Sequence, residues 1–86
     1  MAKKVLKEVQ INLHGLYEFE ARAKLNEILG NLPNDIEKVR IIHGYHGGQI
    51  LQTMVRKEYN HPRIDDIMPV FANDGETVYI IKKKYQ

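Results

Sequence analysis

Residues 5–13 alternate between apolar and polar. Val5, Val9, Ile11 and Leu13 fall on one side and Gln10, Asn12 and His14 on the other, with Lys7 interrupting the apolar side near its start. A period of two predicts a strand with one buried face, and Gly15 ends it. From about Glu18 to Leu29 the spacing changes to threes and fours. Ala21, Leu25, Ile28, Leu29 and Leu32 form an apolar stripe, whereas Glu18, Glu20, Arg22, Lys24 and Glu27 are mostly solvated. The early glutamates suit the positive end of a helix, and Gly30-Asn31-Leu32-Pro33-Asn34-Asp35 stops it. A second strand over 38–43, rich in β-branched residues (Val39, Ile41, Ile42), breaks into a glycine-rich turn. A second helix follows from about Gly48 to Tyr59, carrying Ile50, Leu51, Met54 and Val55 inward, and Asn60-His61-Pro62 terminates it. Residues 64–71 read as extended, with Pro69 arguing for an edge position or a bulge. Asn73-Asp74-Gly75-Glu76 is a turn with Asp-Gly at its centre, a short-hairpin signal, and Thr77–Ile81 is the last strand.

The order is therefore β-α-β-α-β-β. Crossovers between parallel strands are right-handed, so two in succession put both helices on one face, and the closing hairpin makes the sheet mixed. The expected fold class is an α/β two-layer sandwich: a mixed four-stranded sheet with two helices on one face and the other face partly open. Eighty-six residues make one small domain over 1–86, with a structured part of roughly 9–82 and a modest core, since a chain this short buries only about 60% of its unfolded surface. There is no cysteine, which removes disulfides and thiolate metal sites. With no long apolar run and no signal-like start, the chain reads as cytoplasmic and not membrane-bound. The net charge of +2 is unevenly placed: Lys3, Lys4 and Lys7 sit at one end and Lys82, Lys83 and Lys84 at the other, leaving residues 9–81 at −3. Attraction to phosphate must then come from local clusters and the basic ends rather than from the body of the domain.

In open sheets of this kind ligands bind off the carboxyl ends of the parallel strands, and both His14 and the 43–48 turn are expected there. A strand that feeds a helix through glycines presents free backbone N–H groups that can cradle a phosphate. The same glycines can equally serve only to turn the chain. His14 reads either as a general acid/base or as an exposed histidine at a sheet edge. His43 reads either as a phosphate contact or as a strand-end ring capping the turn. His61 is most simply a loop residue.

Ile11-Asn12-Leu13-His14-Gly15-Leu16, a helix, then Val39-Arg40-Ile41-Ile42-His43-Gly44 with further glycines before a second helix resembles the Smr (small MutS-related) domain family. The likeness runs over roughly residues 9–82. It implies a fold like the C-terminal domain of translation initiation factor 3 and an endonuclease acting on DNA or RNA, in some members on messenger RNA at stalled ribosomes. The family's Leu-Asp-x-His motif falls on Ile11-Asn12-Leu13-His14, so the histidine is present and the acid has become Asn12. Its His-Gly-x-Gly-x-Gly loop falls on His43-Gly44-Tyr45-His46-Gly47-Gly48, where His46 replaces the middle glycine and Gly47 stands where threonine is usual.

On this resemblance the candidate catalytic set is His14 as general acid/base with Asn12 at the acid position, His43 holding the phosphate and His46, which the family pattern lacks, assisting, with Gly44, Tyr45, Gly47 and Gly48 against the phosphate. Arg40 is expected on the open sheet face with Asn12 and His14. Arg56, Lys57, Arg63 and the Lys82–Lys84 tail are further candidate phosphate contacts, and Tyr45 or Tyr79 could stack on an unpaired base. The partner is nucleic acid, DNA or RNA, with the ribosome a candidate. Mg²⁺ or Mn²⁺ is a compatible cofactor, and its ligands are left open. Cleavage needs an activated nucleophile and charge stabilisation, and Asn12 supplies no charge. Glu18, Glu20, Asp65 and Asp66 are candidate replacements for the missing acid. The alternative is a nucleic-acid-binding or ribosome-associated module that no longer cuts. A small-molecule phosphate enzyme fits poorly, because the chain is short and carries no dinucleotide or Walker signature.

Overall fold

The computed structural model describes residues 7–44 and 49–82. The elements are β1 (Glu8–Asn12), α1 (Glu18–Gly30), β2 (Lys38–Ile42), α2 (Ile50–Thr53) running directly into a π-helical turn (Met54–Glu58), β3 (Ile64–Pro69) and β4 (Glu76–Ile81). They form one four-stranded sheet in the order β1-β2-β4-β3. β1 and β2 are parallel, with Ile11 opposite Ile41, and β4 inserts antiparallel between β2 and β3. This is the mixed two-layer sandwich that the alternation predicts.

The period of two sorts the sheet into a core face and an open face. Ile11, Val39, Ile41, Thr77, Tyr79 and Ile81 lie beneath the helices, where Ala21, Leu25 and Leu29 of α1 and Met54 and Val55 of the second helix close over them. The residues between them, Gln10 and Asn12, Arg40 and Ile42, Val78 and Ile80, stay at least partly exposed. Pro69 sits on an edge strand, as its missing N–H requires, and the β3–β4 pairing also shifts register between Ile64 and Asp66. Among the described residues no helix is long and apolar enough to cross a membrane.

Three local expectations change. The β3–β4 connection is not a tight hairpin: Pro69 pairs with Thr77, and residues 70–75 join the strands through two consecutive turns, with Asn73 N–H on the Val70 carbonyl at 3.1 Å and Glu76 N–H on the Asn73 carbonyl at 3.4 Å. Tyr79 is no stacking surface, because it is fully buried and lies parallel to Tyr59 with ring centroids 6.3 Å apart. The second helix widens in its last turn, where Tyr59 N–H reaches five residues back to the Met54 carbonyl at 2.7 Å. The displaced Val55 carbonyl accepts the Tyr79 hydroxyl at 2.7 Å, so the core supplies the bond that the wider turn gives up.

Tyr79→Phe should therefore strand a buried carbonyl and lower the unfolding free energy by roughly 1–3 kcal/mol. Urea denaturation checks this, and a change below about 0.5 kcal/mol would mean that water takes over the bond.

Candidate functional site

The carboxyl ends of β1 and β2 carry the site. Beyond β1, Leu13 is buried, and its N–H extends the parallel ladder to the Ile42 carbonyl at 2.7 Å. A turn from Leu13 to Leu16 follows, closed by Leu16 N–H on the Leu13 carbonyl at 3.1 Å, with Gly15 at φ +85° in its third position. Position two of that turn is His14, whose side chain is exposed. The Asn12 side-chain oxygen accepts the His14 N–H at 2.9 Å, an Asx turn that fixes the direction in which the chain leaves the strand. Lys24, reaching down from α1, donates to the Asn12 backbone carbonyl at 3.1 Å.

β2 ends against the β3–β4 connection. The N–H groups of His43 and Gly44 both donate to the Gly75 carbonyl at 3.0 Å, while Gly75 N–H is held by the Asn73 side chain at 3.0 Å. The His43 ring is buried, and both of its nitrogens are engaged. Nδ1 faces the Gly44 carbonyl at 3.0 Å, so it must donate. Nε2 lies 2.9 Å from the Thr77 hydroxyl, which already accepts from Arg56 Nε at 2.8 Å. The hydroxyl proton is then free to go to Nε2, and all three groups are satisfied with the ring neutral. Burial holds the His43 pKa below its ordinary value, and the Arg56 charge adds to the effect. His43 is thus a turn-capping strap in this structure rather than a ring open to a ligand.

The two halves of the site meet at Gly44. Its φ of +82° suits glycine, and its α-carbon lies under the His14 ring. A Cβ there would stand 3.3 Å from His14 Cγ and Nε2 and closer still to Cδ2. The structure therefore brings Asn12, His14 and Gly44 together, with His43 behind them. Tyr45, His46, Gly47 and Gly48 lie outside the described residues.

The other candidates stand apart or are engaged. Arg40 lies in mid-sheet on the open face and is clamped by Glu8 and Glu76, each at 3.0 Å, which raises its pKa. Arg56 points inward, to Thr77 and to the Glu76 carbonyl at 2.9 Å. Arg63 donates to the Leu32 carbonyl at 2.8 Å, and Lys57 is exposed on the last turn of the second helix. Lys24 went unnoticed in the sequence because it fits a solvated helix face. Only the position of α1 over the end of β1 reveals it.

None of the candidate replacement acids is free at His14. Glu18 pairs with Arg22 at 2.9 Å, and Glu20 closes the N-terminus of α1 on Tyr17 N–H at 3.0 Å. Asp65 and Asp66 begin β3, at the opposite end and the far edge of the sheet. Among the described residues no group of three or more His, Asp or Glu side chains could hold a metal ion. A groove of about 430 Å³ between the helices is lined by Glu18, Gln49, Ile50, Thr53 and Glu58, and its carboxylates do not suit a phosphate.

The family model of the Smr domain matches residues 11–80. The chain belongs to the Smr domain family. Smr domains are known for nucleic-acid binding and nicking endonuclease activity. The crystal structure of the Smr domain of Thermus thermophilus MutS2 superposes with a TM-score of 0.76 at 20% identity, covering 86% of this chain and 98% of that one. At that identity the likeness speaks for the fold. No curated protein matches the chain significantly. Within this Smr domain, the acid position of the first motif carries an amide that still accepts the backbone bond a carboxylate would accept.

Two glycines at positive φ separate strain from packing. Gly15→Ala meets no neighbour within 4 Å and should cost only the backbone strain, about 1–2 kcal/mol. Gly44→Ala should cost more and should also move the His14 ring resonances in an NMR spectrum. Equal costs with unmoved resonances would show that the ring does not pack on Gly44.

The neutral His43 has a pH signature. Because its folded pKa lies below the reference value of 6.5, the unfolded chain takes up a proton first as pH falls. The stability this ring supports is complete above about pH 6.5 and declines as pH falls towards the folded pKa. His61, whose pKa is also lowered by burial, acts in the same direction. The melting temperature should fall between about pH 7 and pH 5, and His43→Gln, less stable overall, should show a shallower slope. An unchanged slope in the variant would remove His43 as its source.

Proposed function

We propose that this Smr domain is a nucleic-acid endonuclease in which His14 is the general acid/base and the Gly44 turn receives the scissile phosphate. The observation that carries this reading is the packing of an exposed histidine directly on the α-carbon of the glycine that opens the second motif. A phosphate set against Gly44 meets the exposed His14 imidazole directly, and an imidazole at that point is what proton transfer to a leaving oxygen needs. Asn12 acts as a positioning residue: it orients the His14 backbone through its side-chain oxygen, and the task requires an acceptor rather than a charge. Lys24 adds a positive charge beside the Asn12 carbonyl. The substrate is DNA or RNA, and a ribosome-bound messenger is one setting for it in the cytoplasm.

A second reading, binding without cleavage, is favoured by the amide at position 12, which brings no negative charge to a divalent ion or to an imidazolium.

Cleavage of labelled single-stranded RNA and supercoiled plasmid, with and without Mg²⁺ or Mn²⁺, decides between them. The endonuclease reading expects wild type to cut, His14→Ala to lose about 100-fold or more, and Asn12→Asp to keep most of the activity while Asn12→Ala does not. An inert wild type that binds and is switched on by Asn12→Asp establishes the second reading. Cutting by His14→Ala at the wild-type rate would sink the assignment of His14.

A further inference from the structure

The chain has two phenylalanines, and both face solvent: Phe19 is 72% exposed and Phe71 97%. Tyr17 is 74% exposed, and its ring lies parallel to that of Phe19, 6° off plane with centroids 6.1 Å apart. Two other tyrosines, Tyr59 and Tyr79, are spent on the core. Large aromatic rings gain much by burial, so three left in water call for an explanation.

All three stand on the rim that carries His14. Tyr17 follows the Leu13–Leu16 turn and is the residue before α1. Phe71 belongs to the connection whose Gly75 holds Gly44. With the strands in the order β1-β2-β4-β3, the rim runs from the Tyr17–Phe19 pair past His14, Gly44 and Gly75 to Phe71. Three strand spacings, roughly 14 Å, separate the ends of β1 and β3 along this rim. Ala72, at φ +63°, fixes the turn that carries Phe71 outward.

We propose that Tyr17, Phe19 and Phe71 are stacking platforms for unpaired bases on either side of His14, and that the substrate is therefore single-stranded or locally unpaired nucleic acid. The inference rests on the nucleic-acid reading above and names the substrate class of that site. The aromatic faces are separated by His14 and by glycine backbone rather than joined in one apolar patch. This spacing fits a ligand in which flat apolar faces alternate with a polar backbone. In a duplex those base faces are covered by their neighbours and are not available to a side chain. Electrostatics agree: Glu18 is paired with Arg22 and Glu20 is turned back onto Tyr17 N–H, so the acids beside the platform are already engaged. Lys24 is the cation nearest the histidine turn that the hydrogen bonds identify. Affinity at this rim should therefore come from stacking and depend only weakly on salt.

The test is fluorescence anisotropy of the full chain with three probes of about 12 nucleotides: a single strand, an abasic strand with the same backbone, and a blunt duplex. The proposal expects the single strand to bind about tenfold or more tightly than either of the others. Tyr17→Ala/Phe19→Ala and Phe71→Ala should each weaken only the single-strand complex, by about tenfold, with unchanged melting temperatures. Tyr17→Phe should retain binding. The Phe71 variant lies outside every helix and strand, so it remains informative if the double variant loosens α1. Equal affinity for the abasic strand, or aromatic variants that bind as wild type, overturns stacking while leaving the endonuclease reading intact, and the aromatic rim is then a protein-docking surface. Absence of binding to all three probes overturns both.

Discussion

The rim depends on one carbonyl and one neutral ring. The Gly75 oxygen receives the last two N–H groups of the β2 end, and the buried imidazole of His43 ties the same point to Thr77 and to the Gly44 carbonyl. The bond to Thr77 depends on the ring being neutral, because a protonated Nε2 would join Arg56 as a second donor to the hydroxyl oxygen and leave the hydroxyl proton without its acceptor. Gly44 is fixed as a result, and His14 has a surface to lie on. The exposed histidine thus lies on a turn that a buried one holds in place.

The core reaches the rim through the second helix. Its last turn opens to π geometry, and the carbonyl released there is taken by Tyr79 from the sheet. Arg56 lies in that turn, and its guanidinium extends to Thr77 and the Glu76 carbonyl, the same point of β4 that His43 grips. Packing of Tyr79 in the interior and hydrogen bonding at the rim therefore share one short stretch of backbone. A loss at either end should be felt at the other, because a half-satisfied buried network is costly.

Much of the architecture was legible because it follows from periodicity. Two alternating strands, a stripe at 21, 25 and 29 and an isolated proline at 69 dictated layers, faces and an edge strand. What periodicity could not supply was partner choice. Arg40 had the right face but met Glu8 and Glu76 from neighbouring strands, a pairing set by register. His43 was left between two readings because its spacing in sequence says nothing of Thr77, 34 residues away. The Asp-Gly signal marked a turn correctly yet missed the longer connection around it, since residues 70–73 form a turn of their own. The exposed aromatics were not singled out from the sequence, because only burial shows Tyr17, Phe19 and Phe71 in solvent and only the strand order brings Phe71 to the same end of the sheet as Tyr17.

The amide at position 12 is best judged by what the structure asks of it. Its side-chain oxygen accepts one backbone N–H, and its own carbonyl accepts Lys24. An aspartate would make the same bond to His14 and would add a charge that Lys24, on the same residue's backbone, stands ready to meet. The substitution therefore preserves the path of the chain into the histidine turn and removes a negative charge from beside Lys24. What this position keeps is an acceptor for one backbone N–H, a geometric task that an amide and a carboxylate perform alike.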